Sequence, residues 1–161
     1  MPLSAERKPV PYLQSQFNES DGQISPDGRW VAYSSNESGR AEVYVQGLSS
    51  PASKWQVSTS GGSRPRWRRD REELFFRDAA VAGRTYAVSV ESAGDGLRFG
   101  IPKFLFETPF SSLTGHPTAY GLYAVSGDGQ RFLIPSRPSA TSDDQVTPLT
   151  VVLNWTSALK R

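Results

Sequence analysis

The sequence predicts an all-β fold, on three observations. Short runs of β-branched and aromatic residues, bounded by Gly, Pro, Asn and Ser, dominate the chain. No window carries a sustained i, i+3, i+4, i+7 apolar stripe of the kind a packed helix needs. And a turn built around aspartate opens into a short apolar strand three times, at residues 24–33 (ISPDGRWVAY), 67–76 (WRRDREELFF) and 125–134 (VSGDGQRFLI). Their aspartates, Asp27, Asp70 and Asp128, lie 43 and then 58 residues apart. A period in the forties is what a four-stranded propeller blade occupies. The expected architecture is therefore about three four-stranded antiparallel blades of a β-propeller, either a partial propeller or half of a two-chain ring.

Each element has its own local warrant. Residues 1–9 form a polar lead-in, where Pro2 and Pro9 discourage regular pairing. Residues 10–14 (VPYLQ) suit one short edge strand. The first blade spans about 22–59, with strands at 22–25, 30–35, 41–46 and 55–59. Ser38-Gly39 supplies the hairpin turn between its middle pair. Glu42-Val43-Tyr44-Val45-Gln46 alternates as a half-buried strand does. A Ser-Gly-Gly-Ser loop at 60–63 leads to the second blade, about 63–106, with strands at 64–68, 73–77, 86–90 and 103–106. A long connection at 107–117 stretches the second spacing. The third blade, about 118–156, offers 121–126, 131–135 and 150–155, with a Ser/Pro/Asp-rich loop at 136–147. It shows three strands and residues 10–14 are one strand over. Propellers commonly close by letting an N-terminal strand complete the last blade, which removes an exposed edge.

Bulk properties narrow the function. The 161 residues suffice for a domain with a core, and 14 Gly with 12 Pro indicate many turns. A formal net charge of +2 creates no global field for nucleic acid or an anionic membrane. The chain has no cysteine, which excludes disulfides, Cys-ligated zinc and thiol nucleophiles. Residues 1–16 contain no apolar stretch of signal-peptide type, and no run has the 18 or so apolar residues of a spanning helix. The compartment is open: cytoplasmic if Met1 is the native start, extracytoplasmic if the chain belongs to a longer anchored protein.

Several residue groups invite chemistry. Asp27-Gly28 and Asp128-Gly129 resemble metal loops only superficially, since neither has the further oxygens at alternate positions that calcium requires. Asp27, Asp70 and Asp128 are instead expected to accept backbone hydrogen bonds inside their turns, with Gly28 and Gly129 at positive φ. Arg64, Arg66, Arg68, Arg69 and Arg71 around Trp67 form the only marked charge cluster. Strand alternation puts Arg64, Arg66 and Arg68 on one face and Pro65, Trp67 and Arg69 on the other. Such a surface, with an aromatic neighbour, suits a phosphate, a nucleic acid or an acidic peptide. The bland reading, a solvated face balanced by Asp70, Glu72 and Glu73, fits the near-neutral chain better. His116 is the sole histidine, and a triad would need it beside Ser111, Ser112 or Ser126. No Gly-x-Ser-x-Gly elbow exists, so no catalytic residue is assigned. Trp30, Tyr33, Trp55, Trp67, Phe75, Phe76, Phe132 and Trp155 are expected to pack between blades.

These stretches also carry a resemblance. Phe17-Asn18-Glu19, residues 34–45 (SSNESGRAEVYV), 55–58 (WQVS), 67–70 (WRRD), 105–108 (LFET) and 151–155 (VVLNW), together with the SPDGRWVAY opening, resemble the TolB-like (WD40-like) β-propeller repeat family. The likeness runs over about 7–160 and is nearest to the C-terminal blades of bacterial proteins that join a serine/threonine kinase domain to such a propeller. Kinase motifs are absent from the sequence, so kinase activity is not carried over. Two departures stand out: Arg71 occupies a position where the turn wants Gly, which predicts a different turn type, and Gly127 replaces the proline of Ser-Pro-Asp-Gly.

The resemblance implies a non-catalytic module for protein or peptide interaction, in a scaffold or sensor role, with loops presenting the surface. The alternative is a purely structural C-terminal fragment of a larger propeller protein such as a kinase-linked sensor. A hydrolase-associated propeller is the distant third reading. No cofactor or metal is expected, nor nucleic acid, nor membrane insertion. The partner is a protein or peptide. A head-to-tail homodimer is also expected, each chain donating 10–14 to the other's third blade to complete a six-bladed ring.

Overall fold

The computed structural model describes residues 11–49, 53–108, 123–135 and 149–153, the last stretch in backbone alone. The lead-in 1–9, the connection holding Ser111, Ser112 and His116, the loop 136–147 and Trp155 lie outside the described residues. Among the described residues there are strands and no helix, hence none long and apolar enough to cross a membrane.

Blade one is a four-stranded antiparallel sheet ordered β1 (Glu19–Ile24), β2 (Trp30–Ser35), β3 (Glu42–Gly47), β4 (Lys54–Gln56). Blade two comprises β5 (Ser63–Trp67), β6 (Glu73–Arg77), β7 (Arg84–Ala93), β8 (Gly96–Phe99) and β9 (Lys103–Glu107). Blade three is β10 (Ala124–Val125), β11 (Arg131–Pro135) and β12 (Leu149–Leu153). The second strand of each blade, β2, β6 and β11, occupies the stretch the aspartate turns predict. The inner strands β1 and β5 of neighbouring blades lie against each other.

Three local features depart from the sequence reading. The first is β1, which starts at Glu19 because a bulge between Ser20 and Gln23 absorbs Asp21 and lets Ser20 and Glu19 pair with Ser34 and Ser35. The second is β7, which runs past Val90 into a hairpin with β8, turning at Gly94-Asp95. Gly94 has φ 58, the sign a II′ turn needs at its first central residue. β8 and β9 follow one another along the edge of β7 away from β6, so they form one return arm interrupted by Gly100, Ile101 and Pro102.

The third is the middle aspartate turn, which is not of a different type. Arg71 adopts φ 68, beside 71 at Gly28 and 73 at Gly129. Its N–H donates to Arg68 O at 2.9 Å, as Gly28 N–H does to Ser25 O at 2.9 Å and Gly129 N–H to Ser126 O at 2.8 Å. A left-handed conformation costs a non-glycine residue about 1–2 kcal/mol. The Arg71 side chain offsets this by reaching Asp27 on blade one, Nε to Oδ2 at 3.2 Å.

The blades stack through two apolar layers. Trp30, Ala32, Val43 and Val45 of blade one meet Leu74, Phe76, Val88 and Val90 of blade two, with Trp55 and Trp67 packed alongside. On the other face of blade two, Phe75, Ala87 and Leu105 meet Tyr123, Phe132 and Ile134 of blade three. Trp30 and Trp55 pack edge to face at 5.4 Å, and Phe75 and Phe132 at 5.1 Å. Tyr33 departs from the inter-blade expectation. It stacks on Tyr44 on the outer face of blade one, where Leu13 and Leu48 pack against the pair.

Residues 11–14, expected as an edge strand, form no strand within the chain. Tyr12 donates its hydroxyl to Gly47 O at 2.8 Å, and Leu13 joins Val31, Tyr33 and Tyr44. Leu13 thereby lies against a sheet face.

Candidate functional site

A polar cluster gathers where the inner strands of the three blades converge, at the end of the blades opposite the aspartate turns. Its first element is a repeated bulge. Asp21 in β1 and Arg64 in β5 have φ 58 and 54, and each sits inside a register shift of its strand. Aspartate tolerates this region because its short side chain bonds locally; arginine does so far less readily. The pair is fixed across the blade boundary. Asp21 Oδ2 accepts from Ser20 Oγ at 3.1 Å and from Ser34 Oγ at 3.3 Å. Ser34 Oγ in turn accepts from Arg64 N–H at 3.1 Å. Arg64 Nε lies 3.9 Å from Asp21 Oδ1, at the outer limit of an ion pair.

Blade three supplies Tyr123, immediately before β10. Its hydroxyl donates to Arg64 O at 3.0 Å, and burial pushes its pKa above the ordinary phenol value. The guanidinium carbons of Arg66 and Arg77 stand 5.4 and 5.8 Å from the Tyr123 ring centroid. That is cation–π distance. Arg77 is only 3 % exposed, and its Nη1 donates to Thr85 Oγ1 at 3.0 Å. Burial lowers its pKa, and the charge of Arg64 lowers it further; a guanidinium nevertheless stays protonated. Among the described residues no carboxylate lies within ion-pair distance of Arg66 or Arg77.

In the candidate surface Arg64, Arg66, Trp67, Arg68 and Arg69, the expected alternation, with Arg64, Arg66 and Arg68 on one face of the strand, is broken. The bulge between Ser63 and Arg66 breaks the alternation, and the Arg64 side chain reaches toward Asp21. Trp67 is committed to the first core and donates Nε1–H to Gln23 O at 3.2 Å. Arg68 is neutralised by Asp70 at 2.7 Å, Glu72 at 2.6 Å and Glu73 at 2.8 Å, and the Asp70 contact raises its pKa first. Arg69 binds blade three through its backbone, N–H to Gly127 O at 3.1 Å. The bland reading thus describes Arg68. It does not describe Arg64 and Arg66, which join Asp21, Arg77 and Tyr123. Sequence reasoning missed those last three, although Asp21 lies one repeat length, 43 residues, before Arg64.

The turn aspartates have a different environment. Oδ1 of Asp27, Asp70 and Asp128 accepts the N–H of Arg29 at 3.2 Å, Glu72 at 2.9 Å and Gln130 at 3.0 Å. The Arg68 hydrogen bond holds Asp70 below the usual carboxylate value, and the Ser126 hydroxyl does the same for Asp128. Among the described residues no three metal-ligating side chains converge.

No family model matches the chain, and no curated protein does. Among solved structures it is similar to TolB from Acinetobacter baumannii, at 14% sequence identity with a TM-score of 0.60. The alignment covers 85% of this chain and 30% of that one, so the chain spans under a third of the TolB structure's length. At this identity the likeness speaks for the fold alone: all-β, in TolB-like propeller blades.

Proposed function

We propose that this chain is a non-catalytic propeller module that binds a protein or peptide where its inner strands converge. The observation that carries this reading is the Asp21, Arg64, Arg66, Arg77 and Tyr123 cluster, built from all three blades. Arg64 is tied to blade one through its N–H, and Arg66 and Arg77 lie against Tyr123 of blade three, in contrast to Arg68, whose charge is spent within its own turn. Polar groups held this way are set up to contact something outside the fold. The resemblance to kinase-linked propellers adds a proposed setting, a sensor beside a catalytic domain.

The test is a binding-partner screen with the purified chain in parallel with an Arg64→Glu/Arg66→Glu variant of unchanged circular dichroism. A partner held by the parent and lost by the variant is expected. A partner held equally by both would place binding elsewhere on the module.

Head-to-tail pairing of two chains is a separate proposal. Leu133, 41 % exposed on the outer face of blade three, is an apolar side chain that a second copy would cover. Light scattering on the purified chain is expected to give twice the chain mass, and a monomer sinks this idea.

A further inference from the structure

We propose that Arg66 and Arg77, set over the Tyr123 ring beside the Arg64–Asp21 pair, form a wedge that recognises a carboxylate group on the bound peptide. This rests on the peptide-binding reading above and names the chemistry the ligand must carry. The Arg64 guanidinium lies 3.9 Å from Asp21, and among the described residues the guanidinium groups of Arg66 and Arg77, set over the Tyr123 ring, have no carboxylate of their own. Asp21 is already engaged by two serine hydroxyls. The side chain of Arg66 makes one hydrogen bond among the described residues, Nη1 to the neighbouring Pro65 O at 2.8 Å. Arg77 satisfies one of its five N–H donors on Thr85 while being almost fully buried. A cation so placed gains more from an incoming anion than a solvated one does, because the local dielectric is low.

The geometry favours a carboxylate over a nucleic acid. Planar guanidinium forks pair bidentately with carboxylates and phosphates alike, so the choice turns on what else a nucleic acid requires. Single-stranded nucleic acid binding relies on exposed aromatic platforms and an extended basic track. Here Tyr123 is 6 % exposed and covered by its arginines, and the next arginines along the chain are committed elsewhere. The ring therefore acts as a floor for the guanidinium groups, with its hydroxyl tied to Arg64 O.

Fluorescence polarisation of the purified chain decides the matter, with dye-labelled short peptides as probes. One alternates glycine and glutamate with an amidated terminus. A second has glutamine for glutamate and an amidated terminus. A third is the glutamine peptide with a free terminal carboxylate. Tighter binding of the first or third than of the second is expected, and which of them binds tells a side-chain carboxylate from a terminal one. Arg66→Gln and Arg64→Gln should each weaken that binding about tenfold, the worth of a charge-assisted hydrogen bond. Arg66→Lys, which keeps the charge and loses the fork, should weaken it less. Arg98→Gln, far out on β8 and 74 % exposed, should leave it unchanged.

Equal binding of all three peptides overturns carboxylate recognition and leaves the peptide-binding reading in place. Glutamate-peptide binding that survives both substitutions in folded variants overturns the assignment to this wedge. Tighter binding of an oligothymidylate than of any peptide overturns both readings in favour of nucleic acid. No binding of any probe overturns the wedge as a carboxylate site.

Discussion

Arg71 and Asp27 tie the aspartate turns of neighbouring blades together, with Nε 3.2 Å from Oδ2 and both side chains less than a third exposed. The same arginine donates Nη2–H to Ser92 Oγ at 3.1 Å. It makes these contacts from a left-handed backbone, φ 68, that its two counterparts reach with glycine. Strain and ion pairing should then be separable. Arg71→Gly relieves about 1–2 kcal/mol of backbone strain while losing an ion pair worth about 1 kcal/mol, so its stability should stay close to the parent's. Arg71→Ala keeps most of the strain and loses the pair, and should melt measurably lower than Arg71→Gly. Thermal unfolding followed by circular dichroism checks the order; an alanine variant as stable as the glycine one would remove the strain argument.

Acid should loosen the turns. Asp70 and Asp128 have folded-state values held below the ordinary 3.8, first by the Arg68 hydrogen bond and first by the Ser126 hydroxyl respectively. A depressed carboxylate contributes stability that is present in full above the unfolded value and disappears as pH falls through the folded one. Melting temperature should therefore be flat in this respect above pH 3.8 and fall below it. Asp128→Asn should show a shallower acid decline than the parent. Parallel acid limbs for the two proteins would contradict it.

Phe132 and Leu133 are adjacent and should respond oppositely to truncation. Phe132 is fully buried, with Phe75 and Phe106 rings at 5.1 Å and Tyr123 at 6.4 Å. Phe132→Ala should cost about 3–5 kcal/mol in urea unfolding. Leu133 points to the open face of the strand, so Leu133→Ala should stay within about 0.5 kcal/mol in the monomer. A comparable loss at both positions would mean that this face is covered.

Glu42 anchors the passage from blade one to blade two. Its carboxylate has no exposed surface; it accepts from Arg40 Nε at 2.6 Å, from Gly61 N–H at 2.9 Å and from the Ser58 hydroxyl. Glu42→Ala leaves a buried backbone donor and a hydroxyl without their acceptor, and should cost about 3 kcal/mol. Glu42→Gln keeps an acceptor oxygen and should cost less. Equal losses would assign the effect to the charge alone.

Much of the architecture was legible because it is local. Turn chemistry at Asp27, Asp70 and Asp128 marks where a strand begins, and β2, β6 and β11 follow directly. The hairpin of β7 and β8 was missed although Gly94-Asp95-Gly96 advertised a turn, because apolar alternation stops at Val90 and the rest of β7 is polar. The middle turn was misread for a related reason: Arg71 breaks the local rule, and the residue that compensates, Asp27, belongs to another blade.

By itself the sequence determined the all-β class, the blade period and the placement of the aspartate turns, since hydrogen bonds within a few residues and the two-residue alternation of strands specify them. Only the tertiary structure decided how the members of the arginine run are partnered. At the bulge the Arg64 side chain reached toward Asp21, Arg68 was neutralised by three carboxylates, and Tyr123 arrived from the third blade to cover Arg66 and Arg77. A charge takes its energy from everything packed around it, and here the decisive neighbours come from other blades.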